Sequence, residues 1–293
     1  MDHRSEIREF LTSRRARITP DQAGLPSYGA RRVPGLRRAE AAQLAGVSVE
    51  YYARLERGNL SGVSDAVLDA LTRALRLDDT ERTHLYDLAR AAGTSPRRRR
   101  PARAPQGVRP NVQRLLDAMT DTPATVTNGR TDVLAANALG RALFAPLHES
   151  AWQPPNYARF IFLDPRSHDF WDNWDHAADD TVALLHAEAG RNPHDPDLTA
   201  LIGELSTRST DFRTRWARHD VRRHTTGVKH FHHPAVGTLD LTFEAMELVA
   251  DEGLTLLAYG AEPGTASEDG LRLLATWAAS HDQRGAVPTG DGA

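Results

Sequence analysis

The side chains of this sequence that could do chemistry are mostly arginines, and they gather at one end. Residues 1–108 carry 20 Arg against 13 Asp and Glu, a net of +7, while residues 109–293 carry 16 Lys and Arg against 26 acids, a net of −10. A basic half joined to an acidic half points to a polyanion as the partner of the first half alone. A generic solvated surface would give the same count. Cysteine is absent, which excludes thiol nucleophiles, disulfides and thiolate metal sites. No GxSxG, Walker loop or GxGxxG occurs. His230, His232 and His233 cluster beside Lys229, the only lysine, and His230 and His232 would share one face of a strand. No carboxylate stands nearby at ligand spacing, and there is no HExxH. The stretch His176 to Asp180 reads as a helix surface. Hence no catalytic residue, metal or cofactor is expected, and an enzyme is not.

The informative arginines lie in Arg37 to Gly58, RRAEAAQLAGVSVEYYARLERG. Two short helices must cross closely for one of them to enter a major groove. Ala42 is the small residue where they touch. Gly46 supplies a left-handed turn, Val47 plugs the core, and Ser48 caps the second helix. Tyr52 and Leu55 face inward at a spacing of three. Val49, Glu50, Tyr51 and Arg54 are left for the outer face or its edges. In such a motif the N-terminal residues of the second helix meet base edges.

The elements around this stretch must hold it. A first helix is expected over Ser5 to Arg17, with Ile7, Phe10 and Leu11 on one face. An irregular stretch with Pro20, Gly24, Pro26 and Gly29 follows. Further helices are expected over Ser64 to Leu75, with Ser64 as N-cap, and over Asp78 to Ala92, closed by Gly93. Residues 94–108 are rich in proline and arginine and read as a basic linker. Beyond it, a helix is expected over Asn111 to Thr120. Strands are expected over Ala124 to Thr127 and Asp132 to Ala135, with the hairpin signal Asn128-Gly129 between them. Five more helices follow, over Asn137 to Phe144, Asn156 to Leu163, Ser167 to Ala189, Pro196 to Ser206 and Asp211 to His219. Then come strands over Gly227 to Phe231, Gly237 to Phe243 and Leu254 to Tyr259, a helix over Ser267 to Ala279, and a disordered tail over 282–293.

AxxxxxLAGVSxxYYxRLERG resembles the repressor-type helix-turn-helix of phage repressors and of the xenobiotic-response-element-like bacterial regulators. The likeness covers about residues 5–92 and implies a five-helix domain that binds DNA, usually as a dimer. By position it makes Arg38 a phosphate or base contact and places Gln43 near the backbone. Val49, Glu50 and Arg54 take base-reading positions, Tyr51 would touch phosphate or cover the core, Arg57 would meet a phosphate, and the cap Ser48 is counted among the contacts. Arginine to guanine is the commonest specific contact, which puts Arg54 foremost. Glu50 would either accept from a cytosine amino group or pair with Arg54 at i, i+4. Arg31 and Arg32, just before the motif, form either a basic arm toward backbone or minor groove or a solvated loop.

A second resemblance spans nearly the whole chain. RRVPGLRRAEAAQLAGVSVEYYARLERG, VRPNVQRLLDAMTDTPATVTNGRTDVLAANALGRALF, RFIFLDP, RTRWARHDV and HHPAVGTLDLTFEAM together look like the MmyB-like regulators of actinobacteria. It implies a multidomain α and α+β chain. The helix-turn-helix domain over 1–93 would be joined to a PAS-like domain over 109–281, an antiparallel sheet with several helices around an apolar cavity. A fatty acid is associated with at least one member. The aromatics of the second half fit a pocket lining or an ordinary core: Phe160, Phe162, Trp171, Trp174, Trp216, Phe231, Phe243 and Tyr259. Arg218, Arg222 and Arg223 would hold an acidic headgroup or be surface charge. The expected partners are double-stranded DNA as an inverted repeat, a small apolar ligand and a second copy of the chain. The alternative is a second domain that only dimerises or recruits a protein. With no run of about 18 apolar residues and no signal-peptide-like start, a cytoplasmic protein without a membrane partner is expected.

Overall fold

The structure, a computed structural model, describes residues 3–25, 33, 35–93, 107–218 and 226–285. The chain divides into two compact units, residues 1–102 with 182–223, and residues 103–181 with 224–293.

In the first unit five helices follow one another: α1 (His3–Arg17), α2 (Arg38–Leu44), α3 (Val49–Glu56), α4 (Asp65–Ala74) and α5 (Asp79–Gly93). Their apolar stripes meet in one core of Ile7, Phe10, Leu11, Leu36, Tyr52, Leu55, Leu60, Leu68, Leu71, Leu85 and Leu88. Asp78 and Glu81 form a reciprocal capping box that starts α5, with backbone-to-carboxylate distances of 2.8 and 3.1 Å. Glu81 also takes Arg14 at 2.9 Å. Burial brings the Arg14 guanidinium down to about 10, and Glu81 opposes that fall. Ser64 stands at the N-cap of α4 as expected, but its side chain makes no capping bond.

The same unit takes three later helical pieces: the end of α11 (Trp174–Arg191), α12 (Pro196–Arg208) and α13 (Thr210–Trp216). Asp195 and Ser209 cap α12 and α13 through their side-chain oxygens.

The second unit is built on a five-stranded antiparallel sheet, β1 (Ala124–Asn128), β2 (Val133–Ala136), β3 (Thr226–His233), β4 (Gly237–Glu247) and β5 (Leu254–Gly260), in the order β2-β1-β5-β4-β3. This is the antiparallel sheet with helices that the resemblance implied. Alternation assigns the faces. Ala124, Val126 and Leu254 lie under α6 (Pro110–Ala118), against Val112 and Leu116. Phe231, Leu239, Leu241, Phe243 and Tyr259 are also buried. They share the unit with α7 (Ala138–Leu143), α8 (Ala145–His148), α9 (Tyr157–Leu163), α10 (Arg166–Phe170) and α14 (Ala266–Gly285). Asn137 fastens the start of this unit. Its amide donates to the carbonyls of Met119 and Thr122, both at 2.7 Å, and its oxygen accepts from Ala124 N at 3.0 Å and Gly140 N at 2.6 Å.

Two local expectations are corrected. The β1–β2 connection is not a two-residue Asn-Gly turn. Asn128 Oδ1 accepts from the Arg130 and Asp132 amides, both at 3.0 Å, and the residue with positive φ is Thr131, at 64°. The side chain of Asn128 thus organises a longer turn. The single helix expected over Ser167 to Ala189 is two helices, α10 and α11. Trp171 leaves the helix to bridge Phe231 of β3, and Asp172 N donates to His230 O at 3.2 Å. Pairing to a strand outweighs local helix propensity there. At the C-terminus α14 runs on to Gly285, and residues 286–293 lie outside the described residues, as do 94–106.

Candidate nucleic-acid interface and ligand-domain core

The turn between α2 and α3 carries the geometry its residues demand. Gly46 has φ +65°, Gly46 N donates to Gln43 O at 3.1 Å and Val47 N to Ala42 O at 3.0 Å. This pair of hydrogen bonds is a Schellman ending. Ser48 Oγ then accepts from Tyr51 N at 3.1 Å to start α3. Ala41 and Ala42 of α2 are buried, as are Tyr52 and Leu55 of α3. The opposite side of the pair is open: Arg38, Gln43, Ser48, Val49, Glu50, Arg54 and Arg57 are all exposed, and Tyr51 is half-buried. The Arg54 guanidinium lies 4.6 Å over the Tyr51 ring, and Glu50 forms no ion pair with it. The ring therefore holds Arg54 on the outer face without using its donors on a carboxylate. Arg31 and Arg32 lie outside the described residues.

Glu56 fixes the far end of α3, and sequence reasoning passed over it. Its carboxylate is buried and accepts from Thr12 Oγ1 at 3.0 Å, Arg15 Nη2 at 2.8 Å and Arg15 Nε at 3.2 Å, with Arg38 Nε at 3.3 Å. Burial alone would raise its pKa, but the bonds from Arg15, Thr12 and Arg38 hold it below the usual carboxylate range. One signal was available: Glu56 follows Tyr52 and Leu55 at i+4 and i+1, on the buried face of α3. The same contacts bring Arg38, a predicted DNA contact, to the end of the reading helix.

In the second unit an aromatic cluster centres on Phe144. Its ring lies 5.2 Å from Tyr157, 6.0 Å from Phe170, 6.4 Å from Trp171, 5.8 Å from Phe231 and 5.4 Å from Tyr259. Phe160 joins through Phe170 at 5.8 Å and Phe243 through Tyr259 at 6.2 Å. Five of the singled-out aromatics thus come together: Phe160, Trp171, Phe231, Phe243 and Tyr259. Phe144, Tyr157 and Phe170 join them without having been foreseen, because nothing local marks a helix-end aromatic as central. Phe162 and Trp174 form an edge-to-face pair at 6.0 Å, with Trp174 Nε1 donating to Ile161 O at 3.1 Å and its ring stacked on His168 at 4.2 Å. Trp216 belongs elsewhere. It packs in the first unit, stacked on His186 at 3.7 Å, because α13 folds with the five helices.

Beside the cluster lies a buried ion pair. Lys229 Nζ is 2.7 Å from Asp180 Oδ2, 5.9 Å from the Trp171 ring centroid and 5.5 Å from that of Phe243. Burial pulls the Lys229 pKa down and Asp180 pushes back. The expected helix surface at His176 to Asp180 is thus corrected at Asp180, which is buried, while His176 is exposed. Strand alternation carried the signal, since Lys229 is in phase with Phe231 and His233. On the other face His230 meets Asp240 at 2.6 Å and His232 meets Asp172 at 3.3 Å. Arg218 is exposed, and Arg222 and Arg223 lie outside the described residues.

A tight two-helix turn that leaves a capped helix exposed on one face, within a five-helix core, defines a helix-turn-helix DNA-binding domain. Here it is joined to an α+β domain in one chain. The chain belongs to the MmyB-like transcription regulators. Residues 108–274 match the family model of the MmyB-like transcription regulator ligand binding domain, and residues 6–85 match a helix-turn-helix domain model. No curated protein gives a match. Both matched families are regulatory, and their pairing is that of a ligand-responsive transcription regulator. No helix among the described residues is long and apolar enough to cross a membrane.

Proposed function

We propose that the chain is a cytoplasmic one-component regulator. A homodimer reads an inverted repeat, and a small apolar ligand of the fatty-acid class in the second domain alters that reading. No catalytic step is assigned to it. The observation that carries the DNA half is the exposed α3 face, with Arg54 held over Tyr51 at 4.6 Å. Val49, Glu50 and Arg54 would meet base edges. Arg38, Gln43, Ser48, Tyr51 and Arg57 would flank them on the backbone, with Arg31 and Arg32 as a basic arm. Dimer symmetry would set the half-sites about one helical turn, 34–36 Å, apart.

The ligand half rests on the family match and on the aromatic side of the sheet. Phe160, Trp171, Phe231, Phe243 and Tyr259 offer an apolar wall, with Phe162 and Trp174 at its edge. Trp216, in the first unit, is not part of that wall.

Selection of a duplex from random DNA, followed by footprinting, tests the first half. Arg54→Ala should weaken the selected duplex by about 1–3 kcal/mol, roughly 5- to 150-fold, with an unchanged circular dichroism spectrum. Unchanged affinity and selectivity would remove the reading-face assignment. Mass spectrometry of molecules extracted from the native protein tests the second half. An empty protein that also binds no long-chain carboxylate would leave dimerisation or protein recruitment as the role of the second domain.

A further inference from the structure

The span that matches the ligand-binding family, 108–274, is continuous in sequence, yet its middle, residues 182–223, packs with residues 1–102. The contact between the two is specific. His186 is fully buried, with Nδ1 3.1 Å from Glu6 Oε1 of α1 and Nε2 3.0 Å from the Trp216 carbonyl. The ring thus ties Glu6 of α1 to the backbone at the end of α13. The His186 ring is stacked on Trp216 with an interplanar angle of 14°, and Trp216 stacks in turn on Phe212 at 5.4 Å.

Four residues further along α11, Gly190 meets the ring of His84 in α5. A Cβ there would lie 2.6 Å from His84 Cε1, so any side chain at this point would have to push the buried His84 ring aside. His84 stands edge-on to Phe10 at 4.9 Å, and Ala187 packs on the same core. Glu6 and Trp216 also line a small cavity of about 20 Å³, enough for a water.

We infer that residues 182–216 form an arm by which the ligand-binding region grips the DNA-binding helices, with Glu6–His186 as its latch and Gly190 on His84 as its fit. The inference rests on the reading of the chain as a ligand-responsive regulator. The arm leaves the reading face open: Val49, Glu50 and Arg54 are exposed while it is seated. It therefore positions the domain and does not block it. The route onward is short. Glu6 lies on α1, and Thr12 and Arg15 of the same helix hold Glu56 at the end of α3. Glu6, Gly190 and His186 are positioning residues in this scheme and touch no DNA.

Coupling of this kind is reciprocal, so DNA must act on the ligand domain as the ligand acts on DNA. The test is hydrogen exchange of the full chain, free and bound to its selected duplex. In the wild type, duplex binding should change exchange in α11–α13 and in β3–β5. In Glu6→Gln, and independently in Gly190→Val, the change in β3–β5 should vanish while the duplex is still bound and thermal unfolding stays cooperative. A wild-type response confined to residues 3–93, or a β3–β5 response that survives in both variants, would overturn the arm and leave the regulator reading intact. A chain that selects no duplex would overturn the regulator reading, and the arm with it.

Discussion

Removing the Glu56 carboxylate should loosen the reading helix, and the structure sets the size of the effect. Its oxygens take two bonds from Arg15, at 2.8 and 3.2 Å, and one from Thr12 at 3.0 Å. Arg15 is also well shielded, its side chain 13% exposed, and it donates in addition to the Leu36 carbonyl at 2.6 Å. Truncating one partner of a buried pair strands the other and costs about 3–5 kcal/mol. Arg38, with a side chain 59% exposed, falls in the weak surface class and adds little. Arg15 can swing partly toward water, so the lower end, about 3 kcal/mol, is expected for Glu56→Ala. Glu56→Gln keeps the shape and one acceptor and should lose about 1.5–2 kcal/mol, the charge-assisted share of the bonds. The folded carboxyl is held below its ordinary value. Its contribution is therefore complete above the unfolded pKa of about 4.3 and fades as pH falls through the folded value. The stability gap between wild type and Glu56→Ala should close on that acid limb. Native-state hydrogen exchange of the α3 amides reads the opening free energy directly. A change below about 1 kcal/mol at neutral pH, or a gap that widens toward acid, would refute the anchoring argument.

Three further outcomes are expected. Arg57→Gln should weaken all duplexes alike and lower the slope of log affinity against log salt by about 0.9, as for one lost phosphate contact; salt titrations of selected and random duplexes check it. Asp180→Asn should destabilise the second unit by about 3 kcal/mol by leaving the Lys229 ammonium buried without its carboxylate, whereas the double change Asp180→Leu with Lys229→Met should be close to neutral. Urea unfolding followed by tryptophan fluorescence separates the two. Asn137→Ala should cost about 3 kcal/mol, because the Ala124 and Gly140 amides and the Met119 and Thr122 carbonyls lose their shared partner; exchange at the Ala124 and Gly140 amides should accelerate first.

The two halves of the site differed in how far they could be read from sequence, and the difference is physical. The DNA-reading pair is built within residues 37–58. Its crossing residue, turn glycine, cap and inward pair are fixed by distances of two to four residues. Ala42, Gly46, Ser48, Tyr52 and Leu55 could therefore be assigned from spacing alone. The aromatic wall is drawn from residues 144 to 259, and which rings meet depends on strand register and helix docking. Periodicity shows that Phe160 or Phe231 is inward-facing, but not that Phe144 stands between them. The charges were hardest. Glu56 and Asp180 sit on helices where an acid is usually solvated, and each is buried by a cation 41 or 49 residues away. Trp216 shows the same limit for an apolar side chain. Its own segment marks it as core and gives no hint of which core. Its partner His186 lies 30 residues back on a helix that supplies residues to both units. A local pattern thus fixes the face a residue turns inward, while its role is fixed by what the rest of the chain brings to that face. For this regulator, the contacts that would carry a signal to the reading helix are of the second kind. Substitutions along α1 and α11 should therefore reveal more about control than any further change on the DNA-facing surface.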